Sequence, residues 1–279
     1  GNVIQGNRIG TDWSGTADLG NALRGVSIDG APNTLVGGTD AAQRNVISGN
    51  GLFGVAIFGA GATGNQVLGN YIGTNAAGAA AIPNGSNGVD LQAGPNAIGG
   101  VAAGAGNVIS GNAGNGVLIA ESAGSTVQGN HIGTDAAGTA AVPNEGNGVR
   151  IFNAHTTTVG GTVAGARNLI SGNALPGAGT VGTSSGNVFA GNYIGTDVTG
   201  LAAIGNNGGV VINGDKNLVG GPDPASRNVI SGNTGLGLHL SSGAGHTSQG
   251  NLIGTDATGN APLPNSEDGL TLGSTGSIV

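Results

Sequence analysis

The residues of this chain that could do chemistry are few and dispersed. Among 279 residues there are four histidines, 14 Asp and Glu, seven Lys and Arg, and no cysteine. Without thiols there is neither a disulfide framework nor a thiolate nucleophile. His131, His155, His239 and His246 show no metal-ligand spacing, so they read as solvent-exposed singletons and no metal site is expected. One acidic motif does recur. T-D-x-x-G carries Asp12, Asp135, Asp197 and Asp256, with Asn75 in the remaining copy. Carboxylates and loop carbonyls are hard oxygen ligands that suit calcium. Each copy, however, offers one carboxylate, apart from Asp12 with Asp18. An Asx-type turn, in which the side chain accepts nearby backbone N–H groups, explains Asp and Asn equally well. The turn is the reading taken forward, with calcium as its alternative.

Composition narrows the setting. Glycine accounts for 62 residues and charged residues for 8%, against about 7% and about 25% in ordinary chains. A disordered chain is rich in charge and poor in apolar residues; this one is poor in charge and 37% hydrophobic. The glycines do not fall every third residue, which excludes collagen. A net charge of −7 argues against nucleic acid, whose binding needs clustered cations. No apolar run approaches the roughly 20 residues of a membrane-spanning helix.

The elements that must position any site come from an internal repeat. The phrase GNxIGT starts at Gly6, Gly69, Gly129, Gly191 and Gly250, and N-[VL]-I-S-G-N at Asn45, Asn107, Asn168 and Asn228. Each recurs about every 61 residues. A third phrase, G-[VL]-x-[IL], recurs at 28 to 34 residues, with a degenerate copy near Val181. Each long repeat therefore holds two units. Every unit has three short segments of strand character: GVxI, a β-branched patch such as Thr34-Leu35-Val36, and NxIG or NVIS. They are bounded by Gly, Asn or Pro, the usual punctuation of strands.

Aligning the third segments gives two columns without exception. The asparagines are Asn7, Asn45, Asn70, Asn107, Asn130, Asn168, Asn192, Asn228 and Asn251. The isoleucines are Ile9, Ile47, Ile72, Ile109, Ile132, Ile170, Ile194, Ile230 and Ile253. Residues i and i+2 of a strand share a face, so Asn and Ile point the same way. Identical residues once per turn are what a parallel β-solenoid requires, each turn lying about 4.8 Å above the last. The chain is thus expected to be all-β: a single-stranded parallel β-helix of about nine coils, two per repeat, forming one domain over 1–279. Ile ladders fill its interior, and stacked Asn amides hydrogen-bond from coil to coil. Copies of T-D-x-x-G then lie two coils apart, about 10 Å, too far to share an ion.

Outward positions can be read in the same way. On the first strand they are Ser27, Ala56, Asp90, Leu118, Arg150, Gly182, Val211, His239 and Thr271, expected as solvated surface, with Phe58 and Phe152 also outward. On the third strand the outward residues include Val46, Tyr71, Val108, Leu169, Tyr193, Val229 and Leu252. Such an apolar stripe is a candidate contact surface, unless Ala-rich loops such as 76–82 and 136–142 cover it.

The GNxIGT and NVISGN phrases, the GVxI strands and the three-strand coil resemble right-handed parallel β-helix repeat proteins of bacteria, of the pectate-lyase-like superfamily. The resemblance spans the whole chain. It implies a right-handed helix and an extracellular or cell-surface setting, in large secreted or surface-anchored chains. It implies no activity, since one fold hosts many functions. The superfamily's catalytic Asp clusters find no matching motif, so no catalytic and no cofactor-binding residue is assigned. The expected function is a non-catalytic structural or adhesive stalk, a slice of a longer array or a unit that self-associates end to end or laterally. The alternative is a polysaccharide-active enzyme or carbohydrate-binding module on the same fold. Threonines recur only every second coil, which disfavours ice binding.

Overall fold

The computed structural model describes residues 1–279. It is a β-solenoid of about nine turns built from three parallel sheets of nine strands each. There is no α-helix; two 3-10 turns, Ala41–Gln43 and Pro224–Ser226, lie in loops. The first sheet contains the GVxI strands, from Val26–Asp29 to Leu270–Leu272, the second runs from Val3–Ile4 to Thr247–Gln249, and the third from Arg8–Ile9 to Leu252–Ile253.

Register follows the sequence columns. Ile47 pairs with Ile72, Ile72 with Ile109, Ile109 with Ile132 and Ile132 with Ile170. From Ile47 to Ile230 the column is fully buried, while Ile9 and Ile253 on the outermost rungs are half-buried. Valine, isoleucine and leucine from the other two sheets complete one continuous apolar core, joined by Phe189. Each buried isoleucine contributes about 1.5–3 kcal/mol relative to exposure. The sixth coil departs from expectation. Its strand is Pro176–Val181, and Ala178 and Gly179 pair with Val149 and Arg150. The outward position there is Gly179, not Gly182, because the strand begins earlier than the degenerate phrase suggests.

Asparagine holds the corners together. Nδ2 of Asn107 donates to Oδ1 of Asn130 at 2.9 Å, and the third-sheet ladder runs without a break from Asn7 to Asn251. A second ladder runs through Asn21, Asn50, Asn84, Asn112, Asn144, Asn173, Asn206, Asn233 and Asn265. Several of these asparagines follow Gly or Pro, the residues that bound the strands. Their amides face inward and stack, which punctuation alone does not reveal. A third, mixed column precedes the second-sheet strands. There the N–H of Thr34 donates to Asn65, that of Asn65 to Asn96 and that of Asn96 to Ser125. Between the ladders, Ser48 bridges adjacent coils: its hydroxyl donates to the Thr74 carbonyl and accepts from the Gly73 N–H.

Candidate functional site

The T-D-x-x-G loops are turns. Asp12 Oδ1 accepts the N–H groups of Thr16 and Ala17, Asp135 those of Thr139 and Ala140, and Asp197 those of Leu201 and Ala202. Asn75 uses its amide oxygen identically, toward Ala79 and Ala80. Three of these carboxyls are held below the ordinary value of 3.8. Asp12 responds mainly to the Ser14 hydroxyl and then to backbone N–H groups, and Asp256 mainly to the Thr258 hydroxyl. For Asp197, desolvation acts in the opposite direction but is outweighed by the Thr199 hydroxyl and three backbone N–H groups. The carboxylates are engaged with their own loops, which accounts for Asp and Asn at one position.

These loops also close over the third sheet. The N–H of Ala76 donates to the Gly15 carbonyl, Ala136 to Gly78, Val198 to Gly138 and Ala257 to Gly200, all at 2.8–2.9 Å. A continuous outer rail results. Gly78 and Gly138, at φ of 66° and 70°, lie so close to Tyr71 and to Leu169 that a Cβ would come within 3 Å of those side chains. Most of the candidate contact stripe is therefore covered. Val46, Val108, Leu169 and Val229 are buried, and Tyr71, Tyr193 and Leu252 are half-buried. The Arg44 and Arg167 guanidinium groups lie 4.1 and 4.0 Å from the ring centres of Tyr71 and Tyr193, a cation–π arrangement. The stripe is part of the molecule's own packing.

The histidines are less exposed than expected. His246 is fully buried, accepting the Asn217 N–H through Nδ1 in the mixed corner column. His131 occupies the outward third-sheet position beneath loop 134–141, with Nδ1 buried and without a partner. Desolvation there lowers its pKa below 6.5. His155 and His239 are half-buried and far apart in the fold: His155 lies in an isolated bridge beside Ala123 and Ser185, and His239 on the first sheet.

The outer face of the first sheet holds the remaining chemistry. Asp90 lies between Ala56 and Leu118. Far from being solvated, it is buried, accepting Asn87 Nδ2 at 2.8 Å and Gln92 Nε2 at 2.7 Å. Its neighbours in the column are apolar, so no second carboxylate adjoins it there. Arg150 lines a depression of about 230 Å³ over Gly179, with Asn147 and Asn213 on its walls. The adjacent outward row contains both phenylalanines. Phe58 has the Arg24 guanidinium 4.9 Å from its ring centre, and the same group is 5.8 Å from Phe53. Phe152 forms one wall of a slot of about 300 Å³, whose other lining residues are Gln92, Ala120 and Glu121. Ala120 pairs with Phe152 and occupies the coil between it and Gln92. A small residue between two large ones makes the slot. Phe152 was legible as outward; the slot was not, because it depends on cross-coil register.

No family model matches the chain, and no curated protein matches it in sequence. Among solved structures, the crystal structure of the periplasmic alginate epimerase AlgG is similar, with a TM-score of 0.38 and 13% identity. The match covers 86% of this chain and 61% of that chain. At that level the likeness carries no activity, substrate or site residue across.

Proposed function

We propose that this chain is a non-catalytic structural or adhesive β-helix stalk of an extracellular bacterial surface protein. The observation behind the reading is the pair of Asn ladders, which run with the isoleucine column through the whole solenoid. Such repetition makes a stiff rod about 40 Å long from nine coils, and each coil is stabilised chiefly by its two neighbours. Self-association belongs to the same proposal. With the third-sheet stripe covered, a second copy would engage the sheet edges, whose backbone N–H and C=O groups invite strand addition. Light scattering over a concentration series tests this, and a strictly monomeric species would exclude it. Beads coated with the chain test adhesion to one another and to a glycan array. Release of sugar products from polysaccharides by the purified chain would replace the stalk by an enzyme.

A carbohydrate-binding module is the second reading, and the Phe152 slot favours it. An aromatic wall beside polar side chains is the usual composition of a small-ligand site. Titration of neutral and charged oligosaccharides against the wild-type chain and Phe152→Ala tests it. Binding that survives the substitution would separate the glycan from the slot.

A further inference from the structure

We infer that the slot formed by Gln92, Ala120, Glu121 and Phe152 binds an amino sugar through its protonated amine; the inference rests on the carbohydrate-binding reading. It is lined by a carboxylate, a primary amide, a methyl group and an aromatic surface. Gln92 is held in place because Asp90, nine-tenths buried, takes its Nε2 hydrogen at 2.7 Å. Gln92 can offer a ligand Oε1 as an acceptor and the second Nε2 hydrogen as a donor. Glu121, the residue after Ala120, also lines the slot; it is exposed, has φ of 50°, and its N–H donates to the Phe152 carbonyl at 3.0 Å. That bond ties the Glu121 backbone to the coil bearing the ring. The left-handed conformation of a residue other than glycine is uncommon, and here it turns the chain directly after Ala120.

The slot thus combines a carboxylate, a side-chain amide and a phenyl wall. A cation is drawn to the face of an aromatic ring, and an ammonium donates up to three hydrogen bonds. A sugar bearing a protonated amine matches all three groups. A uronate would set its carboxylate against that of Glu121, like charge against like. Arg150, the cation of this strand, lines the separate depression over Gly179. Phe58 cannot play the part of Phe152, since Arg24 already lies over its ring. Spacing agrees as well. Gln92 and Phe152 are two coils apart, about 10 Å, which leaves one sugar ring's width above Ala120.

The test is calorimetric titration of the whole chain with three oligosaccharides of equal length, at a pH where the amine is protonated. One is an oligomer of glucosamine, one its N-acetylated form and one an oligouronate. The glucosamine oligomer is expected to bind at least about tenfold more tightly than the other two. Glu121→Gln and Phe152→Ala should each weaken it about tenfold, while Glu145→Gln, at an exposed acid elsewhere, leaves it unchanged. Glu121 is exposed, so its variant tests the site without disturbing the core. Tighter binding of the N-acetylated or uronate oligomer would overturn the amine assignment and keep the carbohydrate reading. No binding by any of the three would overturn both. Glucosamine binding insensitive to Glu121→Gln would also overturn the assignment.

Discussion

The side-chain amide of Asn130 and its backbone N–H converge on one atom: both donate to Oδ1 of Asn168, each at 3.0 Å. The next hydrogen of the Asn130 amide reaches back to the Ile98 carbonyl at 2.9 Å. One asparagine therefore ties three consecutive coils, and the direction of donation is the same along the ladder.

Asn130→Ala should be costly because it removes the acceptor for both the N–H and the amide of Asn107. A buried donor left unpaired costs about 1–3 kcal/mol. The same substitution at Asn251, half-buried on the last third-sheet rung, should cost less. Thermal melts of the two variants, followed by circular dichroism, check this. Equal losses would mean that the ladder contributes nothing beyond its local turn.

Ile132 lies fully buried between Ile109 and Ile170. Ile132→Val should cost about 0.5–1.5 kcal/mol. Ile132→Asp places an unpaired charge in the core, with a penalty of several kcal/mol, and is expected to abolish the cooperative melt. A melt unchanged by the aspartate would contradict the buried register.

The acid side of the stability profile should belong partly to the T-D-x-x-G turns. Asp12, Asp197 and Asp256 have folded-state pKa values below the ordinary 3.8. Their folded form binds fewer protons, so their contribution is present above the unfolded value and is lost as pH falls through the folded values. The melting temperature of the wild-type chain should drop between about pH 4 and pH 2. The triple variant Asp12→Asn, Asp197→Asn, Asp256→Asn should drop less, because asparagine makes the same turn at Asn75 without titrating. Millimolar calcium is expected to leave both melts unchanged, and a calcium-dependent rise would restore the metal reading.

His131 gives a separate signature nearer neutrality. Desolvation beneath loop 134–141 lowers its pKa from 6.5, so folding disfavours the protonated ring. Its contribution is present above about pH 6.5 and declines below it until the folded pKa is reached. His131→Tyr introduces the residue found at the equivalent sites Tyr71 and Tyr193. That variant should keep its stability between pH 7 and about pH 5 where the wild type loses some. Loss of equal size in both would place the titration elsewhere.

Much of the architecture was legible in the residues, and the reason is repetition. A solenoid coil meets only its neighbours, so like must stack on like, and the Asn and Ile columns could be aligned without knowing any distance. The nine rungs from Asn7 to Asn251 lie where their spacing put them. The tertiary structure decided what covers those rungs. Whether Val108 or Leu169 faces water depends on how loops two coils apart bond to one another, as Ala136 does to Gly78, and no local pattern carries that. It decided the depth of Asp90, which looks like surface by alternation but is buried between Ala56 and Leu118 with two amides on its oxygens. It decided the slot as well. Phe152 shows itself as outward by period two, but a recess beside it exists only because Ala120 is brought between it and Gln92 from another coil. Periodicity reports which way a side chain points; depth and concavity are set by residues far away in the chain.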